Sequence, residues 1–493
     1  MKNTMFICLI LSLLLTLSST VNSSIYGNST YTDFDPLVDI TVTVEIKAIR
    51  YLEKEEPADP FKALFKTFLS NLLLFKETTL EDNPSFKVIV YINEKEYTSN
   101  IWSNTKYVYN PDWSATLNVP DDDEFVNIKI KLLDSANKNV FCDISPDEGS
   151  LNEGRDAEII YNIKTGHWTG DDSLEDCSGY GRLSGTDDGT IYKNDNDCEL
   201  WFNIYQNDYD NDNIPYWTEI NTYGTDPETK NSGDSDNDKI PVEWEYKWGY
   251  NPFTWEDHIN IDSDSDSINN YEEYLTSDWF SDPYRKDVFV EMDKMADGPN
   301  GEKTYFPVGA KELIQTAFDR QNIVYHLDMG EMDGYDLVPF DGDIGHHDLN
   351  FIYVNYFLHN DENNWRRGVF HYGLVIYYEE ICGYMFRPNA YQIASTGMED
   401  RLSKYPTLDR DIVYGSAYMH ELGHTFAFNP IPGHDQNSKY PWQSGYWTNR
   451  PYKSCMNYGW MYRLVDYSDG SLPNPDVDDW SRIDYHSFEW EWD

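Results

Sequence analysis

Positive charge is what this chain has least of. Its 493 residues hold 37 Lys and Arg against 87 Asp and Glu, a formal net charge of −50. Such a polyanion is repelled by phosphate backbones, which argues against nucleic acid as a partner. Cysteine is scarce too, at six residues with no Cys-x-x-Cys pair, so a thiolate zinc site has no support. Long apolar runs are missing: Phe6 to Leu17 is too short to cross a bilayer comfortably, and no later stretch reaches that length. Aromatic residues are plentiful, at 16% of the chain, which excludes an acidic disordered tail. The length calls for two to four domains.

The front end reads as a processing segment, residues 1–24. Lys2 supplies the positive start, Phe6 to Leu17 the apolar run, and Ser18-Ser19-Thr20 and Ser23-Ser24 the small polar residues that follow. The expectation is an exported chain, secreted or held at the extracellular surface. Cys8 leaves with that segment, and Cys142, Cys177, Cys198, Cys382 and Cys455 remain. Cys177 and Cys198 bracket a Gly/Ser/Asp-rich loop and are expected to pair.

Residues 25–165 carry strand patterning at Ile40 to Ile49, Phe86 to Ile92, Trp113 to Val119, Val126 to Leu133 and Ala157 to Ile163. Turn clusters at Asn110-Pro111-Asp112 and Pro120-Asp121-Asp122-Asp123 separate them, and Pro60 to Phe75 has the apolar spacing of a helical insertion. The expected fold is an antiparallel β-sandwich. The run from Lys87 to Asn93, Thr105 to Trp113 and Ile128 to Asp134 resembles the calcium-dependent lipid-binding sandwich of protein kinase C and synaptotagmin. That family clusters several aspartates in two loops, and only Asp134 and Asp143 are so placed here. The expectation is therefore a plain sandwich for attachment or spacing, with membrane contact unsupported. A loop-rich connector, residues 166–207, follows.

Residues 208–285 contain an internal repeat. Asp208, Asp210 and Asp212 precede Ile214 and end at Glu219; Asp234, Asp236 and Asp238 precede Ile240 and end at Glu245; Asp262, Asp264 and Asp266 precede Ile268 and end at Glu273. Three carboxylates at alternate positions, a carbonyl at position seven and a closing glutamate make an oxygen shell for a hard cation, so structural Ca²⁺ is expected. The spacing resembles EF-hand-like loops and, more closely, the thrombospondin type-3 repeat of bacterial and archaeal surface proteins, with Tyr223-Gly224-Thr225-Asp226-Pro227 between two loops adding to the likeness. Position six is Asn213, Lys239 and Ser267 where glycine suits the sharp turn best, so modest affinities are expected. With few apolar residues to bury, the loops are expected to order with the ion.

Residues 286–493 form the remaining domain, expected to be α/β, with helices on one twisted sheet. Strands are expected at Asp287 to Glu291, Asn322 to Leu327 and Phe370 to Tyr378, and helices at Val308 to Gln321 and Leu408 to Phe428. The second helix holds His420-Glu421-Leu422-Gly423-His424. His420 and His424 are i and i+4, so one helix face presents two imidazoles to a single Zn²⁺, and Glu421 stands beside them as a proton acceptor. Gly433-His434-Asp435 and Lys453-Ser454-Cys455-Met456-Asn457-Tyr458-Gly459 follow. These segments resemble the metzincin zinc endopeptidases, with their zinc helix, third histidine after a glycine turn, and Met-turn below the metal. The likeness implies Tyr458 reaching the metal or the oxyanion, Met456 as floor, and Cys455 as a packed thiol.

The chain departs from that pattern at Ala427, where the family has glycine, and at Pro430, where it has the third ligand. A longer turn, with Asn429 left-handed and Gly433 reversing the chain, would deliver either His434 or Asp435 to the metal. His346 and His347, adjacent on what reads as an extended loop segment, point to opposite faces and are not expected to share an ion. His326 and His371 read as core histidines. The resulting expectation is a secreted zinc endopeptidase acting on protein or peptide substrates and stabilised by calcium. The alternative is a calcium-binding adhesion or matrix protein with a degenerate zinc domain. A thermolysin-like arrangement would need an acidic ligand on a following helix, and the acidic residues from Asp466 to Asp479 sit in a Gly/Pro/Ser-rich segment.

Overall fold

A computed structural model of the chain describes residues 37, 40–52, 83–120, 123–136, 140–146, 155–172, 179–185, 196–332, 334–342, 344–379 and 381–487. The expected processing segment and the expected helical insertion at Pro60 to Phe75 lie outside them, as does Cys177. Among the described residues no helix is long and apolar enough to cross a membrane. Of two compact units, the first takes the described residues within 37–49, 84–185 and 197–256 and the second those within 50–52, 83, 196 and 257–487, so that the boundary after Glu256 falls between the second and third acidic repeats.

The first unit is the β-sandwich that the alternating patterns call for. Its strands are β1 (Ile40–Tyr51), β2 (Phe86–Ile92), β3 (Lys95–Thr98), β4 (Tyr107–Val119), β5 (Phe125–Asp134), β6 (Val140–Cys142), β7 (Ala157–Asn162), β8 (His167–Gly170), β9 (Gly181–Ser184) and β10 (Cys198–Gln206). One sheet runs β3-β2-β5-β7-β8 with β6 also on β5; the other runs β4-β1-β10-β9. Period-two burial identifies the inner faces: Val88, Val90 and Ile92 on β2, and Val126, Ile128, Ile130 and Leu132 on β5, are all buried. Trp168 of β8 meets Phe202 of β10 at 5.5 Å between ring centres, which joins the two inner faces.

Asn110-Pro111-Asp112, expected to break the chain, lies inside β4 instead. Asn110 and Asp112 take positive φ there, so these turn-forming residues bend the strand without ending it. Asp134 and Asp143 are occupied with local structure. Asp134 Oδ1 accepts the N–H groups of Ser85 and Ala136. Asp143 Oδ1 accepts that of Ser145, and its Oδ2 lies 3.5 Å from Arg155 Nε. Cys198, expected to pair with Cys177, directs its thiol at Cys142.

The second unit is built on a six-stranded sheet with helices against it. Its strands are β11 (Asp287–Met295), β12 (Val324–Asp328), β13 (Leu337–Val338), β14 (Phe370–Ile376), β15 (Gly383–Arg387) and β16 (Ala390–Ala394), in the order β12-β11-β14-β16-β15 with β13 on the end of β11. β12, β11, β14 and β16 are parallel, and β15 closes the edge antiparallel to β16. The helices Val308–Asp319 and Ser395–Lys404 flank a longer one, Arg410–Thr425. Parallel strands covered on both faces read as continuous apolar runs, and β14 is buried along its whole length. Sequence patterning located β11, β12 and β14 but not the short β15 and β16.

The long helix begins where its side chains dictate. Asp409 caps it, accepting the N–H groups of Asp411 and Ile412, so the helix starts two residues later than the apolar pattern indicates. Tyr414, Ala417, Tyr418, Met419 and Leu422 pack into one core with β11, β12, β14 and β16, each large apolar side chain adding about 1.5–3 kcal/mol by burial. Replacing Asp409 with alanine should cost about 1 kcal/mol of stability, read as a lower denaturant midpoint at unchanged slope.

Candidate metal centres

The long helix carries His420, Glu421 and His424 to its C-terminal end, and the chain then returns His434 to the same place. The three histidines each offer a ring nitrogen, and these atoms all lie within 4.8 Å of one another. The ring centres of His420 and His424 are 5.0 Å apart, and that of His434 is 5.2 Å from the first and 4.9 Å from the second. His420 Nδ1 lies 2.8 Å from the Cys455 carbonyl oxygen. A carbonyl only accepts, so Nδ1 carries the proton and Nε2 keeps its lone pair. That lone pair is 3.3 Å from His434 Nε2. Two nitrogens bound tetrahedrally at zinc–nitrogen distances of about 2.0–2.1 Å stand about 3.3 Å apart. The donor set therefore fits zinc in type and spacing.

The turn that delivers His434 differs from the expected one. The left-handed residue is Ala427, at φ 56°, and Gly433 makes the second reversal at φ 76°. Asn429 stays out of the left-handed region, because the helix has already stopped with Thr425. Asp435, the rival ligand, is used up in its own turn: Oδ1 accepts the Asn437 N–H and Oδ2 the Ser438 hydroxyl. None of the acidic residues from Asp466 to Asp479 stands in the histidine group. Asp466 faces Arg320, and Asp479 accepts from Tyr452 and Arg482.

Met456 lies against the long helix at Gly423, where an added Cβ would come 2.5 Å from its sulfur. Only glycine lets the Met-bearing turn approach so closely. Cys455 is fully buried, a packed thiol, and its carbonyl is the group that orients His420. That acceptor is invisible in sequence, since every residue has a carbonyl. Tyr458 places its ring 4.3 Å from that of His434 and 5.7 Å from that of His420. Lys439 Nζ lies 4.8 Å over the Tyr458 ring.

Glu421 faces the edge strand: a Cβ at Gly383 of β15 would lie 2.5 Å from its Oε1. Burial pushes its pKa up to about 8. Burial also lowers all three histidines, His424 to about 4, so the imidazoles are neutral lone-pair donors at neutral pH. His326 and His371 are buried in the sheet, the first stacked on Phe289 at 4.1 Å and hydrogen-bonded to Asp287. His346 and His347 open the helix His346–Ile352 and do not lie on an extended segment.

The acidic loops share one geometry. Asp208, Asp234 and Asp262 each accept N–H groups from positions four, five and six of their own loop, and Asp212, Asp238 and Asp266 accept the N–H of the isoleucine at position seven. Position six is left-handed as expected, at φ 72° for Asn213, 88° for Lys239 and 74° for Ser267. Position four is left-handed as well, at Asn211, Asn237 and Ser265, which the glycine-at-six template does not foresee. Both turns point carboxylates inward. Buried oxygens there lack a hydrogen-bond donor: both of Asp210, both of Asp236, Asp264 Oδ2 and Glu273 Oε1. Unpartnered buried carboxylate oxygens are costly without a cation, so the loops fit one.

Burial, with neighbouring carboxylates adding to it, raises the pKa of Asp210 to about 6, of Glu219 to about 8 and of Asp264 to about 11. In the second unit the third loop reaches the start of β11. The Asp287 N–H donates to Asp266 Oδ2 at 2.6 Å, and Lys286 Nζ donates to the carbonyls of Asp264 and Ser265. Asp287 was missed as a member of this acidic group because it stands fourteen residues beyond Glu273, outside the repeat.

No protein-family model matches the chain, and no curated protein matches it. Among solved structures it is similar over part of its length to human GIVD cytosolic phospholipase A2 (9% identity, 34% of this chain and 17% of that one, TM-score 0.18). It is likewise similar to extended synaptotagmin 2, in a structure holding its SMP domain and two C2 domains (12% identity, 34% and 28%, TM-score 0.18). A third is a C2 domain-containing protein from a putative elicitor-responsive gene (9% identity, 36% and 93%, TM-score 0.16). The chain spans less than a third of the first two. Likenesses this slight say nothing of activity.

Two outcomes follow for stability. Ala427→Gly should raise stability by about 0.5–1 kcal/mol, since a left-handed alanine costs about 1–2 kcal/mol and glycine returns part of that as chain entropy; a lower denaturant midpoint would contradict it. Chelating calcium with EGTA should lower the thermal midpoint and expose the 208–273 region to protease, and restoring millimolar calcium should reverse both.

Proposed function

We propose that this chain is a secreted zinc-dependent endopeptidase steadied by calcium. The observation that carries the reading is the convergence of His420, His424 and His434, with a 3.3 Å Nε2 to Nε2 approach and Glu421 next along the helix. His420, His424 and His434 would hold the zinc, which supplies Lewis-acid activation of water and of a substrate carbonyl when bound. The chain's own residues do the rest. The Cys455 carbonyl fixes the His420 tautomer, so that its Nε2 faces the other two rings. Glu421, buried beside the edge strand, accepts a proton from the attacking water in its ionised form, which a neighbouring zinc cation would favour against the effect of burial, and passes it to the departing amine. Tyr458, next to His434, donates its hydroxyl to the oxyanion. Met456 and Gly423 hold the floor and act on geometry.

Calcium in the three acidic loops would neutralise carboxylates that the fold otherwise buries against one another. Export follows from the character of residues 1–24 and from the millimolar calcium that modest sites need. The substrate class is a protein or peptide chain.

Zinc content and casein or gelatin cleavage, measured together in millimolar calcium, test this reading. The wild type should bind one zinc and cleave. Glu421→Ala should keep the zinc and lose at least about a hundredfold in kcat, as expected for a general base. His434→Ala should lose the zinc, whereas Asp435→Ala should keep both metal and activity. A wild type that binds no zinc sinks the proposal and leaves a calcium-binding adhesion or matrix protein in its place.

A further inference from the structure

The sandwich holds two buried cysteines that face each other from different sheets. Cys142 ends β6, in the sheet that includes β5, and Cys198 begins β10, in the sheet that includes β1. Their neighbours Asp143 and Asp197 form a parallel bridge, and the Cys198 N–H donates to the Asp143 carbonyl at 2.8 Å. In that parallel bridge Cys142 stands one residue before the bridged pair and Cys198 one after it, so the two lie diagonally on the same face of chains about 4.7–4.9 Å apart. Both residues are buried, at 1% and 0% exposure, and their thiols are in hydrogen-bonding contact. Both are present as thiols.

We infer that Cys142 and Cys198 are disulfide partners that lock the two sheets together under oxidising conditions. The backbone bridge brings the two segments side by side, and the buried thiols meet across them. The step joins the two sulfurs and releases two protons and two electrons. A disulfide donor, such as oxidised glutathione or an oxidoreductase disulfide, takes the electrons and is reduced to two thiols. The pairing is independent of the zinc and calcium readings. Only its presence in the protein as made depends on export.

The full chain is unfolded in guanidinium with excess iodoacetamide and no reductant, digested, and mapped by mass spectrometry. One sample is taken as isolated, a second after reduction and refolding with oxidised glutathione. A cross-linked peptide pair containing Cys142 and Cys198 in the first sample is the expected result. Reduction should then lower the melting transition of the sandwich by roughly 5–15 °C, and Cys142→Ser should remove that sensitivity to reductant. A pair alkylated as isolated but linked after glutathione supports the pairing and counts against export. Two alkylated cysteines after glutathione, or Cys198 linked to Cys177, overturns it.

Discussion

The hydrogen bond from His420 Nδ1 to the Cys455 carbonyl joins the two segments on which the histidine site depends. It ties the end of the long helix to the turn that carries Met456 and Tyr458, and it decides which nitrogen of His420 is free. The rest of the second unit can be understood as what keeps those two segments in place. Tyr467 donates to the Met419 carbonyl at 2.6 Å, one residue before His420. Tyr452 binds Asp479, and Asn457 binds the carbonyls of Asn449 and Tyr452, so the turn is stiffened from both sides. A histidine whose orientation is fixed before any ligand arrives loses little entropy when it binds.

The acidic loops pose the opposite problem. The histidine site is neutral and rigid; the loops gather carboxylates with raised pKa values around a common centre, and their left-handed residues at positions four and six are not glycines. Such a segment holds its shape at a cost that a bound cation offsets. In the second unit this bears on the sheet itself, since Asp287, the first residue of β11, hydrogen-bonds to the third loop.

How far the sequence speaks can be judged residue by residue. The meeting of His420 with His424 was legible because a helical period puts i and i+4 on one face, and the three acidic loops were legible because carboxylates at alternate positions repeat three times. The alternating strands of the sandwich were equally plain. What escaped has a common physical character. The choice between His434 and Asp435 rests on a turn whose left-handed residue is an alanine, contrary to preference. The Cys142–Cys198 contact is a matter of sheet topology over fifty-six intervening steps of chain, and local spacing pointed to Cys177 instead. β15 and β16 were too short to show a period, and β14, the neighbour of β16, is too uniformly apolar to reveal a register.

The closeness of Gly383 to Glu421 leaves no room for a side chain between the strand and the carboxylate. With β15 against one side of the carboxylate and the helix core behind it, the glutamate is almost sealed from bulk water, at 3% exposure. The strand edge thus works as a wall whose thickness at that point is that of a glycine hydrogen. A methyl group there would force either the wall or the acid to move, without touching any of the three histidines.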